Sequence, residues 1–167
     1  DCSAVNTLAQ TCPNLEHLDL SHNIIDKFPC IASLQRLKYL SLKGNLIQKI
    51  QLEENLNTTF LTHLDISYNE LFYISDFVVL SAIPTLRTLH IMGNPIITDM
   101  LQLELSYRTL FKSIFPMLQS LDDETWSFEE VSISKIYFHK NFDPLQPLDR
   151  DAVQKLVSHN RSHKALF

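Results

Sequence analysis

The stretch LTHLDISYNEL, residues 61–71, decides the fold of this chain. Apolar residues stand at Leu61, Leu64 and Ile66, and an asparagine follows at Asn69. This spacing fits neither the 3.6-residue period of a helix nor the two-residue alternation of a long strand. The pattern therefore points to a structure that needs an asparagine at a fixed distance from a short run of leucines.

The same pattern occurs four times along the chain. It reads LEHLDLSHNII from Leu15, LKYLSLKGNLI from Leu37, LTHLDISYNEL from Leu61 and LRTLHIMGNPI from Leu86. A degenerate fifth copy, LQSLDDETW, begins at Leu118. A single LxxLxL motif is weak, but four copies in register indicate a repeat architecture. The repeats share an asparagine, and these are 22, 24 and 25 residues apart: Asn23, Asn45, Asn69 and Asn94.

Each copy predicts a short strand followed by a sharp turn. The two leucines of LxL point to one side of the strand, and the residues between them point to the other. A buried asparagine can then satisfy backbone groups that the turn leaves unpaired. One repeat cannot bury its leucines alone, so stacked repeats build a continuous core and a parallel sheet.

This pattern resembles the leucine-rich repeat family over about residues 1–125. The resemblance implies an α/β solenoid, a right-handed superhelix with a parallel concave β-sheet and a helical or irregular convex side. Residues 126–167 are expected to form a C-terminal helical extension. The predicted repeats and the C-terminal cap lie near 15–36, 37–60, 61–85, 86–117 and 107–125.

The repeat length is similar to that of the intracellular class that includes regulatory subunits of protein phosphatase 1. The cap of that class has a tyrosine-arginine pair, a short helix, a proline-leucine segment and a leucine-aspartate pair. Here we identify Tyr107-Arg108, Phe115-Pro116-Met117-Leu118 and Leu121-Asp122. Such a cap shields the last core layer from water.

Strand geometry predicts which side chains line the concave surface. Row one holds His17, Tyr39, His63, Thr88 and Ser120; row two holds Asp19, Ser41, Asp65, His90 and Asp122; row three holds Ser21, Lys43, Ser67 and Met92. Tyr is favoured at interface hot spots, and carboxylates favour a partner with Lys or Arg. The predicted partner-binding residues are His17, Asp19, Tyr39, Ser41, Lys43, His63, Asp65, Thr88, His90 and Met92. The convex side or an edge of the solenoid is the alternative binding surface.

The second row does not predict catalysis or a metal site. In a Ser-His-Asp triad the histidine contacts both other members, but here Asp65 separates Ser41 from His90 by about two strand spacings, roughly 10 Å. An open sheet also lacks a closed pocket, and flat rows do not converge on a metal ion. We therefore expect no catalytic residue, cofactor or metal, and an Asp65–His90 surface pair instead.

Composition restricts the remaining functions. The formal net charge of -5 disfavours direct nucleic-acid binding, and no apolar run predicts a membrane span. Cys2, Cys12 and Cys30 lack metal-ligand spacing and are expected to be reduced thiols. These observations favour an intracellular, cytoplasmic protein, with cytoskeletal, ciliary and nuclear locations left open. A secreted ectodomain would need disulfide-capped ends, so it is disfavoured.

The C-terminal third is expected to be helical. The sequence predicts one helix from about Leu101 to Ile114, ending before Pro116, and a second that starts at Ser127 with Glu130 in a capping box. The stretch DRDAVQKLVSHNRSHK has a further helical apolar stripe. We expect it to pack on the end of the solenoid; docking on a partner and leading into a further region are the alternatives.

Two functions remain after these exclusions. The first is a non-catalytic scaffold that binds a protein, with no small-molecule substrate. The second rests on a resemblance to the leucine-rich repeat part of nuclear mRNA export receptors, carried by residues 6–10, NTLAQ, and 107–122. Fold-level resemblance alone does not choose a partner.

Overall fold

The computed structural model describes residues 2–51, 60–102 and 106–140 of the 167-residue chain. Within them, six short strands form one sheet in chain order. The first five strands are parallel, and the sixth turns back antiparallel to the fifth. The strands are β1 His17–Asp19, β2 Tyr39–Ser41, β3 His63–Asp65, β4 Thr88–His90, β5 Ser120–Leu121 and β6 Glu124–Thr125.

The central leucine of each motif faces the core. Leu40, Leu64, Leu89 and Leu121 stand in register across β2 to β5, and each is fully buried. Leu18 of β1 joins the same line but is only partly buried, because no strand covers its outer side within the described residues. The parallel sheet and the stacked leucine layers confirm the predicted α/β solenoid.

The repeat asparagines form a second ladder behind the sheet. Asn69 accepts a hydrogen bond from the Ile47 N–H at 3.1 Å and donates to the Leu42 carbonyl oxygen at 2.9 Å. Asn45 makes the matching bonds one repeat earlier, to the Ile25 N–H and the Leu20 carbonyl. Each asparagine therefore joins its own turn to the turn of the preceding repeat. The same role is filled one repeat later by Asn94.

Asn23 departs from the prediction of a buried asparagine. Its side chain is exposed and donates only to the nearby carbonyls of Leu20 and Ser21. The reason is its place in the first repeat, where no described turn precedes it. Asn23 is thus a natural control for the buried members of the ladder.

The convex side carries short helices and 3₁₀ turns. Helix α1 spans Cys2–Thr11 and packs on a 3₁₀ turn at Ile31–Ser33, with Val5 buried. Two further helices, α2 at Ile74–Val78 and α3 at Pro95–Gln102, follow the third and fourth asparagines.

The prediction of one helix from Leu101 to Ile114 is wrong. Helix α3 ends at Gln102, and a separate helix, α4, spans Tyr107–Ile114. The Ser106 side chain accepts a hydrogen bond from the Thr109 N–H and caps the start of α4. A serine at an N-cap starts a new helix rather than continuing the old one.

The residue before each asparagine has a left-handed backbone. His22, Gly44, Tyr68 and Gly93 have φ values of 55°, 65°, 54° and 75°. Large and small residues alternate at this position, and each ring lies over the glycine of the next repeat. A Cβ atom on Gly93 would lie 2.5 Å from Tyr68 Cδ1, and one on Gly44 would lie 2.8 Å from His22 Nδ1.

Gly93→Ala is therefore expected to lower the free energy of unfolding by about 2 kcal/mol, because it adds left-handed strain and a collision with the Tyr68 ring. In a Tyr68→Ala background the same change should cost only about 1 kcal/mol, since the ring is gone. Urea denaturation of the four proteins measures this difference. Equal costs in the two backgrounds would show that the ring does not press on Gly93.

Arg108 organises the predicted C-terminal cap. Its guanidinium donates to the Leu121 carbonyl at 2.8 Å and the Thr125 carbonyl at 3.0 Å, and its Nε pairs with Glu130. Arg108 Cζ also lies 5.0 Å from the centre of the Trp126 ring. The tyrosine-arginine motif thus works by tying α4 to the last strands.

Helix α5 spans Phe128–Lys140 and packs against α4. The predicted capping box is confirmed: the Glu130 N–H donates to Ser127 Oγ, and the Ser127 N–H donates to Glu130 Oε2. The predicted helix after residue 148 lies outside the described residues, and the division between domains at residue 125 stays a prediction.

Tyr107 joins the cap to the sheet. Its hydroxyl donates to Asp122 Oδ2 at 3.1 Å, and its side chain is buried. Burial, together with the charge and hydrogen bond of Asp122, raises the pKa of Tyr107 to about 12. Because the folded protein holds this proton more tightly than the unfolded chain, the resulting stability is complete below pH 10 and is lost as pH rises toward 12.

We expect the unfolding free energy to fall more steeply between pH 10 and pH 12 in the native protein than in Tyr107→Phe. Absorbance at 295 nm should show one tyrosine that ionises near pH 12, and this step should be missing from Tyr107→Phe. Parallel stability curves for the two proteins would contradict this assignment.

The prediction that all cysteines are reduced is wrong for Cys30. Cys30 takes part in a disulfide bond, whereas Cys12 is exposed and has a free thiol. Thiol titration of the unfolded, non-reduced protein should therefore find fewer than the 3 cysteines of the sequence. A full count of three would contradict the disulfide. The intracellular expectation loses one of its premises, since unpaired cysteines supported it.

Candidate functional site on the concave sheet

Row one forms a ladder of rings on the open face of the sheet. Strand register places His17 beside Tyr39 and Tyr39 beside His63. The His17 and Tyr39 rings stack with centroids 5.7 Å apart, and the Tyr39 and His63 rings are tilted with centroids 6.4 Å apart. Both histidines are exposed, so the ladder is ordered by its own contacts rather than by burial in the core.

The ladder ends in two small residues. Thr88 and Ser120 continue row one across β4 and β5, and the Ser120 hydroxyl donates to Thr88 Oγ1 at 3.1 Å. On the side of the cap, the ring ladder is therefore bordered by these two small polar side chains.

Two carboxylates of row two, Asp19 and Asp65, are held by the serine two residues further along the chain. Asp19 Oδ1 accepts from the Ser21 N–H at 2.8 Å, and Asp65 Oδ1 accepts from the Ser67 N–H at 2.9 Å and the Ser67 hydroxyl at 2.6 Å. Hydrogen bonds from the Ser21 hydroxyl and N–H lower the pKa of Asp19. Both carboxylates are thus oriented before any partner arrives.

The expected Asp65–His90 pair is wrong. Asp65 bonds to Ser67, while His90 Nδ1 lies 3.9 Å from Asp123 Oδ2. Asp122 is also committed inside the protein, because its Oδ1 accepts from the N–H groups of Ile91 and Met92. Asp122 therefore offers little to a partner, and Asp19 and Asp65 are the acidic groups of the open face.

Ser41 was predicted to contact a partner, but its side chain is buried in the structure. Its side chain is only 4 % exposed, because β1 and β3 flank it on both sides. Thr88, His90 and Met92 are partly exposed, and Lys43 leans toward Tyr68, with Nζ 5.5 Å from the ring centre. No three His, Cys, Asp or Glu side chains of the described ranges cluster as metal ligands would.

Two residues that hold the site, Thr62 and Ser67, were not among the predicted partner-binding residues, although Ser67 was placed in row three. The Thr62 hydroxyl lies 2.8 Å from His63 Nδ1, and Ser67 fixes Asp65 as described. Tyr68 was also missed as an exposed ring next to Lys43. A hydroxyl one or two residues from a concave polar residue is the only signal for such contacts in the sequence.

A separate cavity lies away from the concave face. It has a volume of about 280 Å³ and is lined by Gln48, Lys49, Tyr73, Ser75 and Asp76. Asp76 is 6 % exposed, and burial raises its pKa. Its Oδ2 has no hydrogen-bond partner among the described residues. The cavity therefore lies beside the short helix α2, where this carboxyl oxygen has no protein donor among the described residues.

None of the helices in the described ranges combines the length and apolar character required to cross a bilayer.

Comparison with known proteins identifies the repeats. A family model described as "Leucine Rich repeats (2 copies)" matches residues 13–58, and one described as "Leucine Rich repeat" matches residues 57–71 and 82–99. Together they cover the first four copies of the motif. The fifth copy and the cap lie beyond these matches.

A curated relative carries the same kind of repeat. The chain is 28% identical to the immunoglobulin domain and leucine-rich repeat-containing protein 2 of Caenorhabditis elegans, and the match covers 85% of the chain. The chain spans only 18% of the length of that relative.

Two solved structures are similar. The Drosophila melanogaster SNF/U2A′ complex contains a chain that superposes with a TM-score of 0.67 at 24% identity, over 90% of this chain and 79% of that one. The Chaetomium Mex67:Mtr2 structure matches with a TM-score of 0.38 at 22% identity, over 80% of this chain and 73% of that one. The first match agrees with the solenoid fold, and the second is too distant to add to it.

Proposed function

Because this chain belongs to the leucine-rich repeat family, we propose that it is a non-catalytic module that binds a partner protein on the concave face of its sheet. The observation that carries the proposal is the ring ladder of the exposed His17, the half-buried Tyr39 and the exposed His63. Because these rings stack on one another outside the core, they add little to its stability. We therefore propose that they serve to contact a partner.

The face is suited to binding because it is ordered in advance. The ladder rings are held by one another, and the carboxylates of Asp19 and Asp65 are held by backbone N–H groups. Binding of a partner therefore costs little conformational entropy in the side chains of this face. Five parallel strands at about 4.8 Å spacing give a surface roughly 20 Å wide, which suits a segment of a protein better than a small molecule.

The charge of the face favours a basic partner segment. Asp19 is an exposed carboxylate, Asp65 is a half-buried one, and the chain carries a net charge of -5. Charge complementarity of this kind sets specificity and association rate. The same charge disfavours nucleic acid, whose phosphates need a basic surface. We propose no membrane contact and no small-molecule substrate.

Compartment and domain division remain proposals. The solenoid with its cap is proposed to span residues 1–125, with an extension at 126–167. An intracellular location is supported by the resemblance in the cap motif, whereas the disulfide at Cys30 weighs against a reducing compartment. The export-receptor alternative stays a hypothesis from the sequence, because no described contact favours it.

The test is capture of partners from extract, followed by titration of the purified partner. The concave variant combines Tyr39→Ala, His63→Ala and Asp65→Ala. Its matched control combines Gln35→Ala, Arg36→Ala and Ser81→Ala, which are exposed residues outside the sheet. We expect the concave variant to weaken binding at least about tenfold and the control to change it less than about twofold. Circular dichroism confirms that both variants fold. Equal affinity in all three proteins would refute a concave interface.

A further inference from the structure

Two strands of the concave face have the same sequence. Both β1 and β3 read His-Leu-Asp, and β2 between them reads Tyr-Leu-Ser. The register sets His17 and His63 on either side of Tyr39, and the matching carboxylates on either side of the buried Ser41. The face thus repeats one histidine-aspartate pair two strands apart, which is about 9.6 Å.

The hydrogen bonds of Thr62 define the tautomer of His63. The Thr62 hydroxyl donates its one hydrogen to the Lys38 carbonyl oxygen at 3.0 Å, because a carbonyl can only accept. With the hydroxyl hydrogen on that carbonyl, the hydroxyl accepts in its 2.8 Å contact with His63, and this arrangement favours the tautomer with the proton on Nδ1. Neutral His63 consequently has its lone pair on Nε2, so this atom is an acceptor.

Asp65 adds a second acceptor on the same strand. Its Oδ1 takes both the N–H and the hydroxyl of Ser67, which leaves Oδ2 without a donor among the described residues. Asp65 stands two residues after His63, on the same face of the strand. The nearest cation of row three, Lys43, is turned toward Tyr68 instead. The centre of the face is thus rich in acceptors and poor in donors.

The rings do not accept a flat cation between them. A planar group needs about 3.5 Å to each ring face, or roughly 7 Å between rings. The ladder spacings of 5.7 Å and 6.4 Å are smaller. A partner group must therefore meet the rims of the rings and the carboxylates beside them.

We propose that this face receives two arginine side chains of the partner, one at His63 and Asp65 and one at His17 and Asp19, about 10 Å apart. The inference rests on the proposed function and names the chemistry of its partner. A guanidinium carries five N–H donors in a planar fork, so it can serve a carboxylate and an imidazole nitrogen together. An ammonium is a single strongly hydrated point and fits this pair less well.

The pair in β3 is the stronger subsite. Thr62, which precedes His63, contacts the imidazole ring through its hydroxyl. Glu16, which precedes His17, bonds to Lys38 instead. His17 therefore lacks the hydroxyl that orients His63. Loss of Asp65 should accordingly weaken binding more than loss of Asp19.

The probe is the peptide Ac-Ala-Arg-Pro-Pro-Arg-Ala-NH2. Its prolines favour a polyproline II helix, which places the arginines on one side and about 9.3 Å apart. Two matched peptides replace both arginines with lysine or with neutral citrulline. Nuclear magnetic resonance follows the ring signals of His17 and His63 during titration of the whole chain and gives the dissociation constants.

We expect the arginine peptide to bind at least about threefold more tightly than the lysine peptide and at least about tenfold more tightly than the citrulline peptide. Asp65→Asn should weaken the arginine peptide by about tenfold, and Asp26→Asn, an equal charge change on an exposed residue outside the sheet, by less than about twofold. His63→Phe keeps a ring beside Tyr39 but removes Nε2, and should cost about threefold.

Equal binding of the arginine and lysine peptides would overturn the arginine assignment. Equal loss in Asp65→Asn and Asp26→Asn would reduce the effect to overall charge and would also overturn it. Either result leaves the concave interface intact if the natural partner still loses affinity for the Tyr39, His63 and Asp65 variant. The failure of this inference and that of the proposed function are therefore distinguishable.

Discussion

Asn69→Ala is expected to lower the free energy of unfolding by about 4 kcal/mol. The side chain is 5 % exposed and serves the Ile47 N–H and the carbonyls of Leu42, Ile66 and Ser67. Alanine supplies none of these bonds, so buried backbone groups in two neighbouring turns lose their partner. Urea denaturation followed by circular dichroism measures the loss.

Asn23→Ala is the control for this change. It removes the same side chain from the same place in the repeat, but that side chain is exposed and its bonds are local. The expected loss is below about 1 kcal/mol, because water replaces the amide. Similar losses in the two variants would show that the asparagine ladder does not join the repeats.

Arg108→Ala is expected to cost about 3 kcal/mol, because it leaves Glu130 without its cation and frees the carbonyls of Leu121 and Thr125. Arg108→Lys should cost about 2 kcal/mol, since an ammonium keeps the charge but loses the fork. During thermal denaturation of these variants, the α4–α5 contact should be lost first. The fluorescence of Trp126 should therefore change at a lower temperature than that at which the rest of the protein unfolds.

Arg87→Ala is the matched control for the cap. The Arg87 guanidinium bonds only to the nearby carbonyls of Pro84 and Leu86 among the described residues. Its removal should cost less than about 1 kcal/mol. If Arg87→Ala and Arg108→Ala destabilised the protein equally, the cap would owe nothing special to its tyrosine-arginine motif.

Ionisation of Glu130 makes the stability of the α4–α5 contact depend on pH. Its burial opposes ionisation, but the hydrogen bonds from Arg108 and from the Ser127 N–H outweigh it and lower the pKa of Glu130. A carboxylate with a lowered pKa stabilises the fold above its unfolded pKa, and this stability is lost as pH falls through the folded value. The α4–α5 contact should therefore weaken in acid together with the Arg108–Glu130 pair.

The rows of the concave face could be predicted because one period governs them. Once four copies of the motif are aligned on their asparagines, alternation along each strand decides that His17, Tyr39 and His63 share a row. The cap residues were identified by their resemblance to a family motif instead, and Tyr107 and Arg108 contact Asp122 and Leu121.

Side-chain choices within the rows could not be predicted in this way. His90 could approach either Asp65 or Asp123, and the outcome depends on how β5 turns back into β6. The burial of Ser41 depends on the packing of both neighbouring strands. The disulfide at Cys30 depends on the distance between separate segments, which spacing in the sequence does not give.

The central claim is that a partner protein sits on the concave face, and site-specific photo-crosslinking tests it most directly. The photoreactive residue p-benzoylphenylalanine replaces Tyr39 in one protein and the exposed convex residue Val79 in another. We predict a covalent adduct with one partner from position 39, reduced by Asp65→Asn, and none from position 79. An adduct from position 79 with none from position 39 would contradict the account.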